Sequence, residues 1–377
     1  MSLPCGAMTT LAIAHEWLAG RAGSEKTFEV MAQAFPEADL FALSREPDVP
    51  FDLGGRQVAT TILDRFALLR HRRDLTLPLM PIAWSLLRTH RDYDRVLTSS
   101  HACVKAFRPG RRAEHFCYVH APMRYAWDRR IDARAAGRGK TVSAALEVLR
   151  RWDVRSTRFV DHFAANSTAV RERIRCFYGR DSRVIHPPVD TDFYTPGADG
   201  RPRKGALAVS RFIPYKGLDL AIDACARARI PLTIAGSGPL EGALRAHAGT
   251  ADVEVHFEIS PTDERLRELY RSSEILVFPS EEDFGIVPVE SQACGTPVIA
   301  LDVGGTRDTV LHGRTGFLAP RQEPESLAEG IRKLLATPLS PSNCRANAER
   351  FGRDRFQREL REWLETPTED SSNANAL

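Results

Sequence analysis

Two carboxylates eight positions apart, Glu282 and Glu290, and two cations five apart, Arg211 and Lys216, are the residues of this 377-residue chain best spaced to do chemistry together. A carboxylate accepts from two hydroxyls at once, which suits Glu290 to a ribose diol and Glu282 to a sugar. Two cations at one strand-to-helix turn can neutralise a diphosphate. Each residue has a plainer explanation: acidic groups commonly decorate helix starts, and arginine and lysine are ordinary surface charges. What sets these four apart is the elements they fall on.

Ile275-Leu-Val-Phe-Pro279 is a short apolar run suited to a buried parallel strand. Phe284-Gly285 makes a turn, Pro288 fits a first helical turn, and Gly295-Thr-Pro297 stops the helix. Glu282 therefore falls in the loop at a strand's carboxyl end and Glu290 on the next helix. Ligands of open α/β sheets bind at that edge. The backbone N–H groups of Phe284, Gly285, Ile286 and Val287 point outward there, where phosphate or sugar oxygens are favoured. A second strand, 205–211, ends at Arg211 and leads through Lys216 into another helix.

The amino-terminal part repeats the pattern. Leu11-Ala-Ile-Ala14 reads as a strand and His15 to Lys26 as a small-residue loop with Gly20, Gly23 and Ser24, before a helix through Ala34. It is not a P-loop, since no Gly-Lys-Ser/Thr closes it. A strand within 94–105 leads into His101, and the run 116–119 places His120 at a carboxyl end. A lone histidine is more often a structural hydrogen-bonder than a catalyst. Residues 134–157 have helical spacing, and 159–166 reads as a strand. Gly236-x-Gly238 after a strand, with Glu258 ending the next, imitates a dinucleotide fingerprint, but position 241 is Glu where a third glycine belongs. Asp190-x-Asp192 follows two prolines and precedes a Pro/Gly-rich stretch, so it reads as a linker motif, and no metal or cofactor is expected.

Glu-Glu-Asp-Phe-Gly-Ile-Val-Pro-Val-Glu, residues 281–290, resembles the retaining GT-B glycosyltransferases of family 4, and most of all bacterial mannosyltransferases that use GDP-mannose in surface-polysaccharide assembly. His-Ala-Pro-Met-Arg-Tyr-Ala-Trp-Asp, residues 120–128, is similar to a signature of that group. The resemblance runs from about Leu11 to Pro320. It implies two Rossmann-like domains facing across a cleft. The acceptor domain would span 8–190, the nucleotide-sugar domain 191–342, a helix over about 343–364 would cross back, and the tail 366–377 would be disordered. It also implies donor binding by Gly23, Ser24, Arg211, Lys216, Gly236, Glu282, Phe284, Gly285, Ile286, Val287 and Glu290. His120 would lie beside the donor sugar and act in catalysis with Glu282, Arg211 and Lys216. His101, Arg124, Tyr125 and Asp128 would border the acceptor, a lipid-linked glycan or secondary metabolite. The family's usual Gly-Gly before Glu-Lys is Gly23-Ser24 here.

The net charge of +3 is too small to argue for nucleic acid. Seven scattered cysteines without CxxC spacing read as reduced thiols, and residues 1–7 as an extension rather than a signal peptide, so a cytoplasmic protein is expected. Arg65, Arg70, Arg72, Arg73, Arg88, Arg91 and Arg95 flank the apolar run 75–87. Its two prolines argue against a membrane span, and it suits either a core helix or a basic element touching the cytoplasmic membrane face. Two other functions fit part of the sequence. The Gly236-Ser-Gly238 loop would serve an NAD-dependent oxidoreductase, and Gly23-Ser24 would fit a catalytically silent nucleotide-sugar-binding protein.

Overall fold

Among the residues described by a computed structural model, thirteen short strands, most of them apolar, fall into two separate parallel sheets. It describes residues 9–68, 76–110, 112–127, 140–197 and 202–365, with only the backbone of Tyr125 and of 140–145. Two compact units divide the chain: one of 1–166, 170–185 and 357–377, the other of 167–169 and 186–356.

The first unit's sheet runs β3-β2-β1-β4-β5-β6-β7. Its strands are Leu11–Leu18 (β1), Asp39–Arg45 (β2), Val58–Thr60 (β3), Arg95–Ser100 (β4), Glu114–Val119 (β5), His162–Ala165 (β6) and Arg183–Val184 (β7). The chain goes outward from β1 to β3 and then returns to place β4 on the other side of β1. Open α/β sheets take ligands at the carboxyl ends of the strands flanking such a reversal, here β1 and β4. β1 is longer than its apolar run Leu11–Ala14. His15 pairs with Ala42 on one side and Ser99 on the other, and the strand continues to Leu18. Two paired neighbours thus carry His15 and Glu16 into the interior, where the sequence suggested a loop.

The second unit's sheet runs β10-β9-β8-β11-β12-β13 and reverses between β8 and β11. These strands are Ala206–Val209 (β8), Leu232–Gly236 (β9), Val255–Ile259 (β10), Ile275–Phe278 (β11), Val298–Leu301 (β12) and Gly316–Ala319 (β13). β11 is wholly buried, between β8 and β12. Helix Leu218–Ala228 packs on one face through Ala221, Ile222 and Cys225, against Ile234, Val277 and Ile299.

Near the carboxyl end, the single helix expected over 343–364 is two, Pro341–Glu349 and Arg353–Glu365. Phe351 and Gly352 interrupt it because Val189 pairs with this segment in an isolated bridge, its amide donating to the Phe351 carbonyl at 2.9 Å. The division between units falls inside the last helix, after Phe356. The expected disordered tail lies outside the described residues. Among the described residues no helix is long and apolar enough to cross a membrane.

Candidate functional site

At the carboxyl edge of the second sheet, β8 and β11 each deliver one half of a charged cluster. After β8 the chain turns through Arg211 into the short 3-10 helix Pro214–Lys216. After β11 it passes through Glu282 to helix Ile286–Ala293, whose N-cap is Gly285. Lys216 Nζ and Glu282 Oε1 form an ion pair, with both side chains more than four-fifths buried. Tyr215 links the cations: its hydroxyl accepts from Arg211 Nη2 at 3.0 Å, and the Lys216 ammonium lies 5.2 Å from its ring centre. Arg211, Tyr215, Lys216 and Glu282 therefore form one connected set on two adjacent loops.

Glu290 lies deeper. It is buried on the second turn of its helix, and its Oε2 accepts from the Tyr270 hydroxyl at 2.9 Å. Burial first, and then the Glu290 charge, push the Tyr270 phenol well above its ordinary pKa, so Tyr270 stays a donor that fixes the carboxylate. Phe284 is also buried, its ring 5.6 Å from those of His186 and Phe351. Its side chain belongs to the core, and only its backbone remains for a ligand.

Two glycine pairs fix this edge by close approach. A Cβ on Gly236 would collide with the Ser210 carbonyl oxygen, and one on Gly238 would lie 2.7 Å from that of Phe212. The β9 loop thus lies directly on the loop that carries Arg211, and the Phe212 amide donates to the Ser237 carbonyl at 2.8 Å. That contact accounts for the glycines that imitated a dinucleotide fingerprint. Glu258, its supposed ribose partner, pairs with Arg265 instead. Gly304 and Gly305 abut residues 281–284 in the same way, and the Gly305 amide donates to the Glu282 carbonyl at 2.8 Å.

The first sheet's carboxyl edge gathers imidazoles. Ser99 Oγ lies 2.9 Å from His15 Nδ1 and 2.8 Å from His120 Nε2. The His120 carbonyl accepts from Asn166 Nδ2 at 2.9 Å. His101 lies 5.6 and 6.2 Å, ring centre to ring centre, from His15 and His120, with Trp17 edge-on at 4.6 Å. Burial, with His120 second, holds the His15 imidazole well below its ordinary pKa, so it is neutral. Glu16 Oε1 accepts the amides of Ala102 and Val104 at 2.8 and 2.9 Å, which anchors the loop bearing His101. A buried ion pair of Lys105 and Asp153, 2.7 Å apart, secures the same loop. Asp153 also accepts from Trp127 Nε1 and the Tyr178 hydroxyl. Trp127 thus serves the interior, next to a half-buried Arg124.

Gly23 opens helix Gly23–Ala34, and the Ser24 hydroxyl donates to Glu25 at 2.8 Å. The Tyr125 side chain and Asp128 lie outside the described residues. Asp190 does linker work: its Oδ1 accepts the Phe193 amide at 3.1 Å and its Oδ2 is 3.3 Å from Arg353 Nη1. Among the described residues no group of three His, Cys, Asp or Glu is arranged to hold a metal. Sequence reasoning missed His15, Glu16, Ser99, Lys105, Tyr215 and Tyr270. Only the polar pair at the end of an apolar run, His15-Glu16, offered a signal.

Two family models match adjoining stretches of the chain: Glycosyltransferase Family 4 over residues 22–193 and Glycosyl transferases group 1 over residues 200–351. Among curated proteins, D-inositol 3-phosphate glycosyltransferase of Streptomyces bingchenggensis is 31% identical over 273 residues, 63% of this chain and 58% of that one. The enzyme of the same name from Acidothermus cellulolyticus is 34% identical over 225 residues, 51% of this chain and 50% of that one. The chain thus spans about half the length of these relatives. Among solved structures, sucrose-phosphate synthase of Thermosynechococcus elongatus superposes with a TM-score of 0.74 at 21% identity, covering 94% of this chain and 98% of that one. HepE of Anabaena, solved with UDP and glucose, gives 0.68 at 19% identity, covering 95% of this chain and 100% of that one. With its two parallel Rossmann-like sheets and these matches in both halves, the chain has the GT-B fold of the group 1 and family 4 glycosyltransferases.

Proposed function

We propose that this protein transfers a hexose from a nucleotide sugar to an acceptor hydroxyl, with retention of anomeric configuration. The observation that carries the reading is the Lys216–Glu282 ion pair, joined through Tyr215 to Arg211, at the carboxyl edge of the second sheet. When the glycosidic bond to the diphosphate breaks, negative charge builds on the leaving oxygen. Arg211, Lys216 and the amides at the start of helix Ile286–Ala293 are groups that would stabilise it. Glu282 would orient the sugar hydroxyls and Glu290, held by Tyr270, the ribose. With no carboxylate assigned as a nucleophile, attack comes from the face the diphosphate leaves, and the departing phosphate accepts the acceptor's proton.

For the donor we favour GDP-mannose, on the strength of the motif at residues 120–128 and of Glu282-x7-Glu290. His120, Arg124, Tyr125 and Asp128 are assigned by that motif to the sugar and acceptor. UDP in the HepE structure makes a UDP-sugar the competing donor. The acceptor is a lipid-linked glycan or a secondary metabolite, and the relatives' name adds inositol phosphate to the compounds worth screening. The test is nuclear magnetic resonance of the product after incubation with each donor and an acceptor panel. An axial mannosyl linkage from GDP-mannose supports the reading; an inverted linkage, or no transfer from any nucleotide sugar, refutes it.

A peripheral membrane contact also has support. Leu79, Ile82 and Leu86 form one exposed apolar stripe along helix Met80–Leu86, with Arg88 following. Flotation with anionic vesicles, lost on replacing the three side chains by serine, tests it.

A further inference from the structure

The imidazoles at the first sheet's carboxyl edge are joined in a chain with a definite direction. Ser99 Oγ is within hydrogen-bond distance of two ring nitrogens, His15 Nδ1 at 2.9 Å and His120 Nε2 at 2.8 Å. A serine hydroxyl has one proton to give, so it donates to one ring and accepts from the other. Which way it points determines the tautomer of both histidines, since a neutral imidazole carries its proton on one nitrogen only.

The other end of His15 decides the direction. His15 is fully buried, stacked on Phe28 at 5.2 Å between ring centres, and its Nε2 has no hydrogen-bond partner among the described residues. A buried N–H without an acceptor is rarer and more costly than a buried lone pair without a donor. His15 Nε2 is therefore the bare nitrogen, and the proton sits on Nδ1. We propose that His15 Nδ1–H donates to Ser99, that Ser99 donates to His120 Nε2, and that His15 and Ser99 thereby hold His120 as the Nδ1–H tautomer. His15 and Ser99 are positioning residues in this scheme. In that tautomer His120, whose carbonyl is pinned by Asn166, carries an N–H at Nδ1 in place of a basic nitrogen. A neutral donor suits an oxygen of a sugar; it does not suit removal of the acceptor's proton, which agrees with leaving that step to the departing phosphate. This kinetic consequence rests on the transferase reading above, whereas the tautomer does not.

Ring-¹⁵N-labelled histidine spectra at neutral pH test the proposal without any assay of activity. His15→Phe and His120→Gln assign the two signals. The expected result is Nδ1 protonated and Nε2 bare in both rings, opposite to the Nε2–H form that imidazoles of this type favour in water. Ser99→Ala should release His120 from that tautomer, and Ser99→Thr, which keeps a hydroxyl, should retain it. In the transfer assay Ser99→Ala should lower kcat by roughly 3- to 10-fold, the scale of one neutral hydrogen bond, with little change in donor KM. An Nε2–H signature for His120 in the unmutated protein overturns the proposal, and so does a His120 spectrum unaffected by Ser99→Ala. Should the alanine variant fail to fold, the wild-type spectrum alone decides. Loss of the transferase reading with the expected spectrum intact would leave the relay standing and remove only its kinetic role.

Discussion

The ammonium of Lys216 and the carboxylate of Glu282 meet in an ion pair between the loops that follow β8 and β11. The sequence assigned these residues to different parts of a ligand, the diphosphate and the sugar. Their contact means that each holds the other in place at the sheet edge. Removing one partner of a largely buried pair leaves an uncompensated charge, so alanine variants would confound catalysis with stability. Glu282→Gln keeps the shape and one oxygen acceptor for the ammonium but also removes the countercharge, so its kinetics are to be read beside its unfolding midpoint.

If Glu282 faces the transferring sugar as proposed, where charge and geometry change, Glu282→Gln should lower kcat more than it raises KM. Glu290→Gln should mainly weaken nucleotide binding, since a ribose contact persists equally in substrate and transition state. Arg211→Ala should follow Glu282→Gln, with a loss on the order of 10²–10³ in rate for one donor to a developing anion. Steady-state kinetics of the three variants checks this. Normal nucleotide affinity with collapsed kcat in Glu290→Gln would detach Glu290 from the ribose.

Gly305→Ala should impair transfer far more than a surface alanine would. Its Cβ would strike the Phe284 backbone, so the loop carrying Glu282 must move. Because misplacement of about 1 Å can cost on the order of 10²-fold, kcat should fall sharply. Circular dichroism should remain near wild type, and wild-type kinetics would show that the loop is not fixed by this contact.

Transfer activity should survive EDTA. Asp190 is committed to the Phe193 amide and to Arg353, as expected of a linker anchor rather than a metal ligand. Activity abolished by chelation and restored by magnesium or manganese would reverse that assignment.

Stability should fall as the solution is acidified below about pH 6.5. Burial holds the His115 imidazole at about 4, partly offset by its bond to the Phe159 carbonyl. Above the unfolded value of about 6.5 neither state carries the proton and stability is full. Below it the unfolded chain binds a proton that the folded chain refuses. His115 should therefore account for a loss of about 2 kcal/mol at pH 5, and His15 adds to it in the same direction. Urea unfolding at pH 7.5 and 5 measures the slope, which His115→Gln should flatten. A pH-independent midpoint would contradict the burial argument.

Where the sequence was legible, one local rule sufficed. Ile275–Phe278 announces a strand by its apolar run, Pro288 and Gly295 bracket the next helix, and Glu282 and Glu290 fall between. What stayed hidden depends on residues far apart in the chain. His15 meets Ser99 only because β1 pairs with β4 across 84 positions. Glu290 meets Tyr270 because helices Asp263–Ser272 and Ile286–Ala293 are neighbours. Gly236 looked like a phosphate-binding glycine because a close approach of backbone to backbone demands the same residue as a close approach of backbone to phosphate. The helix break at Phe351 likewise reflects a bridge to Val189, more than 160 positions earlier.

Calorimetric titration of nucleotides against the wild-type protein, Glu290→Gln and Arg211→Ala is the decisive measurement. GDP and GDP-mannose should bind the wild-type protein more tightly than UDP- or dTDP-sugars do, and Glu290→Gln should weaken this binding severely while Arg211→Ala weakens it less. A UDP-sugar binding more tightly would change the donor and leave the transferase class standing. Tight binding of NAD with no binding of any nucleoside diphosphate would contradict the account itself.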